Sequence, residues 1–261
     1  MRAMDTASTG MLAQELSVEV ISNNIANLNT TAFKRQRAEF QDLLYQNSRA
    51  PGADSSDAGT IVPVGVQIGL GVKTAAVYRI NEQGNLTQTQ NPLDLAIQGK
   101  GYFQIQLPDG TTAYTRAGSF QMNDTRQIVT ADGYLVLPNI ALPQGTTSIT
   151  VDTTGQVQAQ VAGQVQPQVV GQLQLAVFPN EAGLLAIGQN LLQETQASGP
   201  ATTANAGVND TGIIQQGFLE TSNVNVVNEI TNLITAQRAY EMNSKVIEAT
   251  DQMEQTLTNL R

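Results

Sequence analysis

The stretch TSNVNVVNEITNLITAQRAYEMNSKVIEATDQMEQTLTNLR (Thr221–Arg261) contains neither glycine nor proline, the two residues that most strongly interrupt a helix. Its apolar side chains fall at helical spacing: Val227, Ile230 and Ile234, then after a shift of register Ala239, Met242, Val246, Ala249, Met253 and Leu260. Thr221, Ser222 and Asn223 stand just ahead as cap formers. The pattern predicts one long amphipathic helix over 221–261. At the other end, Met4, Ala7, Met11, Gln14, Val18, Ile21, Ile25 and Leu28 step alternately by three and four residues, the a/d seam of a helix over 1–30. Asn23, Asn24, Asn27 and Asn29 crowd its far end with side chains that favour caps and turns, so it is expected to stop near Asn29 to Thr31.

Between the ends the period changes to two, most clearly in Gln156-Val157-Gln158-Ala159-Gln160-Val161, which reads as a strand. Tyr102 to Leu107 reads as another, with Pro108-Asp109-Gly110 as its turn and Thr111 to Arg116 as the return strand. Residues 74–220 are therefore expected to form an antiparallel β-rich domain, joined to the first helix by a connecting segment over 31–73. Within that segment Gln46 to Gly71 is rich in Ser, Gly, Ala, Asp and Pro and reads as an extended arm. The fold class expected is α+β: long N- and C-terminal helices packing as a coiled-coil-like core, a central antiparallel β domain and an extended arm.

Composition removes whole classes of function. The 261 residues include no Cys, His or Trp, which excludes a Ser-His-Asp triad, a Cys nucleophile and any imidazole or thiolate metal site. The net charge is −9, and no Lys or Arg occurs from Gln127 to Gln237, so nucleic acid is not an expected partner. No run approaches the ~18 apolar residues of a membrane helix, and the N-terminus has no signal-peptide core. Membrane insertion and a cleaved signal peptide are thus not expected. Gly69-Leu70-Gly71 and Gly99-Lys100-Gly101 lack a full phosphate-loop pattern and read as turns. Asp109, Asp124 and Asp132 sit at turns where Asp bonds its own backbone, which fits that role better than paired glycosidase acids. No catalytic, cofactor-binding or metal-ligating residue is expected.

Three motifs carry a resemblance. Ser22-Asn23-Asn24-Ile25-Ala26-Asn27 followed by Thr30-Thr31-Ala32-Phe33-Lys34-Arg35 resembles the N-terminal signature of bacterial flagellar rod and hook proteins. Asn225 to Glu229, Gln237 to Glu241 and Asn243 to Lys245 are similar to their C-terminal signature, and Leu93 to Phe103 resembles the segment that opens the family's β domain. The length, together with Arg37 to Tyr45, places the resemblance nearest the distal-rod branch. One departure is Ala32, where the family commonly has Gly; a left-handed backbone is less comfortable there.

The resemblance implies a self-assembling structural subunit of a rigid tubular drive shaft that transmits motor torque to the hook. It implies no enzymatic activity and no cofactor. The implied partners are copies of the chain itself, proximal rod proteins, the hook protein, and the P and L rings around the rod. The implied location is the flagellar basal body, from the periplasm to the outer membrane, reached by type III export. The alternatives within and outside the family are a proximal-rod or hook-type axial protein and a secreted β-rich glycan-binding module. The implied polymerisation interface comprises Met4, Met11, Val18, Ile21, Asn23, Asn24, Ile25, Asn27, Leu28, Phe33, Lys34 and Arg35 at one end. At the other it comprises Val227, Ile230, Ile234, Arg238, Tyr240, Val246, Met253 and Leu260. Lys34, Arg35 and Arg37 form the densest basic group and are expected to meet carboxylates such as Glu241 or Glu248 of a neighbour. Residues before about 30 and after about 225 are expected to be mobile until assembly.

Overall fold

The computed structural model describes residues 2–49 and 64–259. The chain divides into two units: Met1–Ala26, Gln36–Tyr78 and Asn225–Arg261 form one, and Asn27–Arg35 with Arg79–Val224 form the other.

The first unit is built on helices α1 (Arg2–Ala26) and α2 (Val226–Asn259), which pack on each other. Two contacts fix their direction. A Cβ placed on Gly10 lies 2.8 Å from Asn243 Nδ2, and the Asn24 amide donates to the Glu229 carboxylate at 3.3 Å. Fourteen residues forward on α1 match fourteen back on α2, so the helices run antiparallel in constant register over ~21 Å. On α1 the buried positions are Ala7, Ala13, Val20 and Asn24. On α2 they are Glu229, Ala236 and Thr250, flanked by half-buried Val226, Leu233, Asn243, Ile247 and Glu254. With half-buried Ala239 these α2 positions step by three and four, and Ala239 is the one member they share with the apolar positions that sequence periodicity selects. The face that pairs is rich in small and polar side chains, which let two backbones approach.

A two-stranded antiparallel ribbon completes this unit. Gln36–Asp42 pairs with Val72–Arg79, and Tyr45–Arg49 pairs with Val66–Gly69. The Leu43 N–H bonds the Gly71 carbonyl at 2.8 Å, and the Leu70 N–H bonds the Leu44 carbonyl at 3.3 Å, so the two ladders are continuous. The expected extended arm is, in its described residues, paired strand; residues 50–63 lie outside them. Alternation of exposed Arg37 and Glu39 with half-buried Ala38 and Phe40 is the two-residue period of a strand, present in the sequence but masked by the Gly- and Ser-rich stretch beyond it.

The second unit is an antiparallel β fold. Tyr102–Gln106 pairs with Thr112–Thr115 in the expected hairpin and lies inside a nine-stranded sheet, beside a three-stranded sheet of Thr146–Val151, Gln156–Val161 and Gln168–Gln172. Its main core buries Phe103, Ile105, Phe120, Val136, Val157, Leu175 and Ile214 together, and a smaller cluster gathers Tyr102, Tyr114, Ala176, Phe178 and Leu184. Phe103 and Phe120 meet edge to face at 5.1 Å between ring centres, a favoured aromatic geometry.

The same unit buries Lys34, Arg116 and Glu220 together as one ion network. Glu220 is 2% exposed, with one carboxylate oxygen 2.6 Å from Lys34 Nζ and the other 2.6 Å from Arg116 Nε. Lys34 also donates to the Glu82 carbonyl at 2.8 Å, and the Gly84 N–H donates to Glu220 at 2.9 Å. Arg116 spends its remaining donors on the carbonyls of Ile97, Gly99 and Gly101. Burial alone would raise the Glu220 carboxyl, but Arg116 and then Lys34 outweigh it and hold it below the ordinary carboxylate range. Burial also pushes the Lys34 ammonium down, against the pull of Glu220.

A depressed carboxyl favours the folded state above its unfolded value of about 4.3, and that contribution is lost as pH falls through the lower folded value. The thermal midpoint of the β unit is therefore expected to be level near neutrality and to fall below about pH 4. Glu220→Gln, which leaves two buried cations without a counter-ion, is expected to destabilise the unit by roughly 3–5 kcal/mol at pH 7 and to flatten the acid limb. Circular dichroism melts from pH 3 to 7 measure both. Ala32 adopts a left-handed φ of 57°, so Ala32→Gly is expected to stabilise by about 0.5–1 kcal/mol, read in the same melts.

Candidate self-association interface

The large apolar residues that sequence periodicity selects on α2 face away from α1, while Ala239 is half-buried. Val227 is 72% exposed, and Ile230, Ile234, Met242, Val246 and Met253 are all exposed. They form two sets. Val227, Ile230 and Ile234 share one flank by their spacing of three and four; Met242, Val246 and Met253 share another by spacings of four and seven. The step of eight from Ile234 to Met242 rotates the second set by about 80° around the helix axis. Burial of one large aliphatic side chain is worth about 1.5–3 kcal/mol, so each flank is an adhesive surface of several such side chains. On α1, Leu12 is 62% exposed, while Met4, Met11, Val18, Ile21 and Ile25 are half-buried.

A groove of about 470 Å³ runs between the helices, lined by Glu15, Val18, Glu19, Gln237, Tyr240 and Glu241. Tyr240 is 44% exposed at its margin, and Arg238 is exposed. Leu260 lies outside the described residues.

Three expected interface residues are used within the chain instead. Asn24 is 1% exposed: its amide donates to the Gln36 carbonyl at 2.9 Å, and its oxygen accepts from the Gln36 N–H at 2.8 Å. This two-way bond satisfies the first residue of a ribbon strand and, through Glu229, ties it to both helices. Lys34 is buried against Glu220 and is not free to meet a neighbour's carboxylate, the correction being that its charge is neutralised within the β unit. Arg35 pairs with Glu82 at 3.6 Å, and its N–H donates to Asn223 Oδ1 at 2.7 Å. Of the basic group, Arg37 is the exposed member. Asn23 is exposed; Ile25, Asn27, Leu28 and Phe33 are half-buried, and Asn27 Oδ1 accepts from the Thr30 hydroxyl at 3.1 Å.

Gly99-Lys100-Gly101 forms a bend in which both glycines have positive φ, whereas Gly69-Leu70-Gly71 runs along the ribbon, with Gly69 in a strand and Gly71 at positive φ. Asp109 accepts from the Thr111 N–H and hydroxyl at 2.9 and 2.6 Å. Those bonds hold the Asp109 carboxyl below its ordinary value. Among the described residues there is no cluster of acids able to hold a metal ion, and no helix is long and apolar enough to cross a membrane.

The functional residues that sequence reasoning missed are Glu220 and Arg116, separated by 104 residues, and the pairing face of α2. That face carries its own three-four spacing from Val226 to Glu254, legible only when Ala, Thr, Asn and Glu are counted along with the aliphatics.

Two exposed apolar flanks on a terminal helix, an internally paired second helix and a separate antiparallel β unit describe an axial structural subunit. Three family models match in this order: a flagella basal body rod protein over residues 4–34, the flagellar hook protein FlgE/F/G D1 domain over 96–159, and the flagellar basal body rod FlgEFG protein C-terminal region over 215–260. The chain is 62% identical over 261 residues to the flagellar basal-body rod protein FlgG of Caulobacter vibrioides, with 100% of both chains covered. It is 52% identical over 253 residues to that of Agrobacterium fabrum, covering 97% of each, and 39% identical over 266 residues to that of Bacillus subtilis, covering 100% and 99%. The chain belongs to the flagellar basal-body rod protein family. This likeness over the whole length does not favour the glycan-binding alternative, and it points to no enzymatic family.

Asn24→Ala leaves the Gln36 N–H and carbonyl buried and unpaired, so it is expected to destabilise the helical unit by about 1–3 kcal/mol. The loss of helical signal in urea, compared with the unsubstituted chain, measures it.

Proposed function

We propose that the chain is a structural subunit of the distal rod, polymerising into a tubular shaft that carries motor torque to the hook. The observation that carries this reading is the pair of apolar flanks on α2, which α1 leaves uncovered and which point in two directions around the helix. A subunit in a tube has neighbours along the wall and across it, and two flanks supply both. The likeness of the whole chain to basal-body rod proteins supports the same reading.

In the polymer, Val227, Ile230 and Ile234 would meet one neighbour and Met242, Val246 and Met253 another, with the half-buried apolar residues of α1 completing the contacts. Arg37 of one copy would set register against the carboxylates of the Glu15, Glu19 and Glu241 groove of the next. Exposed pairs of this kind contribute about 0–1 kcal/mol, so they select alignment while apolar burial supplies cohesion. The low density of charge, 13% of residues, suits a surface that packs against its own kind. Proximal rod proteins, the hook protein and the P and L rings are the further partners, and the place of action is the basal body between the periplasm and the outer membrane.

Ile234→Asp and Val246→Asp are each expected to abolish polymerisation while leaving the monomer's helical content and melting unchanged, since neither side chain lies in the internal pair. Sedimentation velocity and negative-stain electron microscopy measure assembly, and circular dichroism measures the fold. Polymers of normal length from either variant would remove that flank from the interface.

A further inference from the structure

The chain passes between its two units four times, at 26–27, 35–36, 78–79 and 224–225. On the β side, the segments next to all four passages converge on the buried carboxylate. The Ala32 N–H bonds the Glu220 carbonyl at 2.8 Å, and the Asn223 N–H bonds the Phe33 carbonyl at 3.4 Å. The Ile80 N–H bonds the Arg35 carbonyl at 2.9 Å, while the Asn223 amide donates to the Ile80 and Glu82 carbonyls at 2.9 and 3.0 Å. Lys34 reaches Glu82 and Glu220 at once, and Arg116 binds Glu220 to the sheet core. Three segments far apart in sequence, 27–35, 79–85 and 218–224, are thus cross-tied to one another and, through a single ion network, to the body of the β unit.

Backbone bonds at strand ends open individually at low cost. The charges behave differently: Lys34 and Arg116 are both buried, and Glu220 is their shared counter-ion. Opening the tie between any two segments exposes or unpairs a buried charge, which makes the opening of all three a single event.

We infer that Lys34, Glu220 and Arg116 form a clasp that fastens the segments 27–35, 79–85 and 218–224 to one another at one point on the β unit, so that the three open together rather than one at a time. Glu220 is a positioning residue in this device, holding backbone rather than touching a neighbour.

Hydrogen exchange of the full chain, read by mass spectrometry, tests the clasp. In Glu220→Gln, the amides of Ala32, Arg35, Ile80, Gly84, Thr221 and Asn223 are expected to gain at least about tenfold more in exchange rate than those of Ile105, Val157 and Leu175, which speed up only as far as the unit's overall loss of stability carries them. Uniform acceleration across the β unit, or none, would overturn the inference. Should Glu220→Gln fail to fold, Lys34→Met, which leaves a balanced Arg116–Glu220 pair, is expected to give the same local pattern at smaller amplitude; uniform acceleration there overturns it equally.

Discussion

Glu220 brings one negative charge to a place where Lys34 and Arg116 bring two positive ones, and the β unit is arranged around that imbalance. A buried ion pair is seldom worth much against a well-packed apolar alternative, because desolvation offsets most of the attraction. Removing one partner is a different matter, since the remaining charge stays buried. Here the shared carboxylate raises the stakes further, and the backbone responds by crowding acceptors around the excess positive charge. The carbonyls of Gly99 and Gly101 receive Arg116, and that of Glu82 receives Lys34. The network therefore specifies which three segments meet more than it adds stability, and the sheet's hydrophobic core supplies the bulk of the cohesion.

This dependence was invisible to sequence reading for a physical reason. Glu220 lies 186 residues from Lys34 and 104 from Arg116, and no local pattern encodes a pairing at that range. Charge placement carried a partial signal: with no Lys or Arg between Gln127 and Gln237, a carboxylate buried in that window must find its counter-ion outside it. The helices and the period-two strands were legible because their causes are local, namely the absence of Gly and Pro after Gly217 and strict alternation around Val157. The ribbon was not, because each strand's partner lies beyond a Gly- and Ser-rich stretch that reads as an arm.

Apolar periodicity also found a true feature of α2, an aliphatic stripe that the internal pair with α1 leaves exposed. The strongest apolar stripe on a helix is normally the one that packs. In this chain the internal pair uses Ala236, Asn243 and Thr250 against Ala13, Gly10 and their neighbours, and the aliphatic side chains are left outside. Small residues permit close backbone approach but bury little area, so this pair rests on fit and on the bonds of Asn24 rather than on hydrophobic energy. The Asn24 bridge to Gln36 then couples the helices to the ribbon, which by itself would be marginal, as two-stranded ribbons are.

That division has a consequence for a protein that must be both a discrete subunit and part of a wall. Had α1 covered Val227, Ile230, Ile234, Val246 and Met253, the subunit would gain stability at several side chains' worth of burial and lose the exposed apolar surface proposed above to meet other copies. Leaving them exposed costs solubility, since contiguous apolar patches on a free chain are aggregation sites. The net charge of −9 and the polar Gln, Asn and Thr surface offset this cost through long-range repulsion between free copies, a force that weakens within about a Debye length of 8–10 Å at physiological salt. Short-range apolar contact prevails over it only once orientation is correct, so the same balance that keeps copies apart in solution makes correct alignment the condition for adhesion.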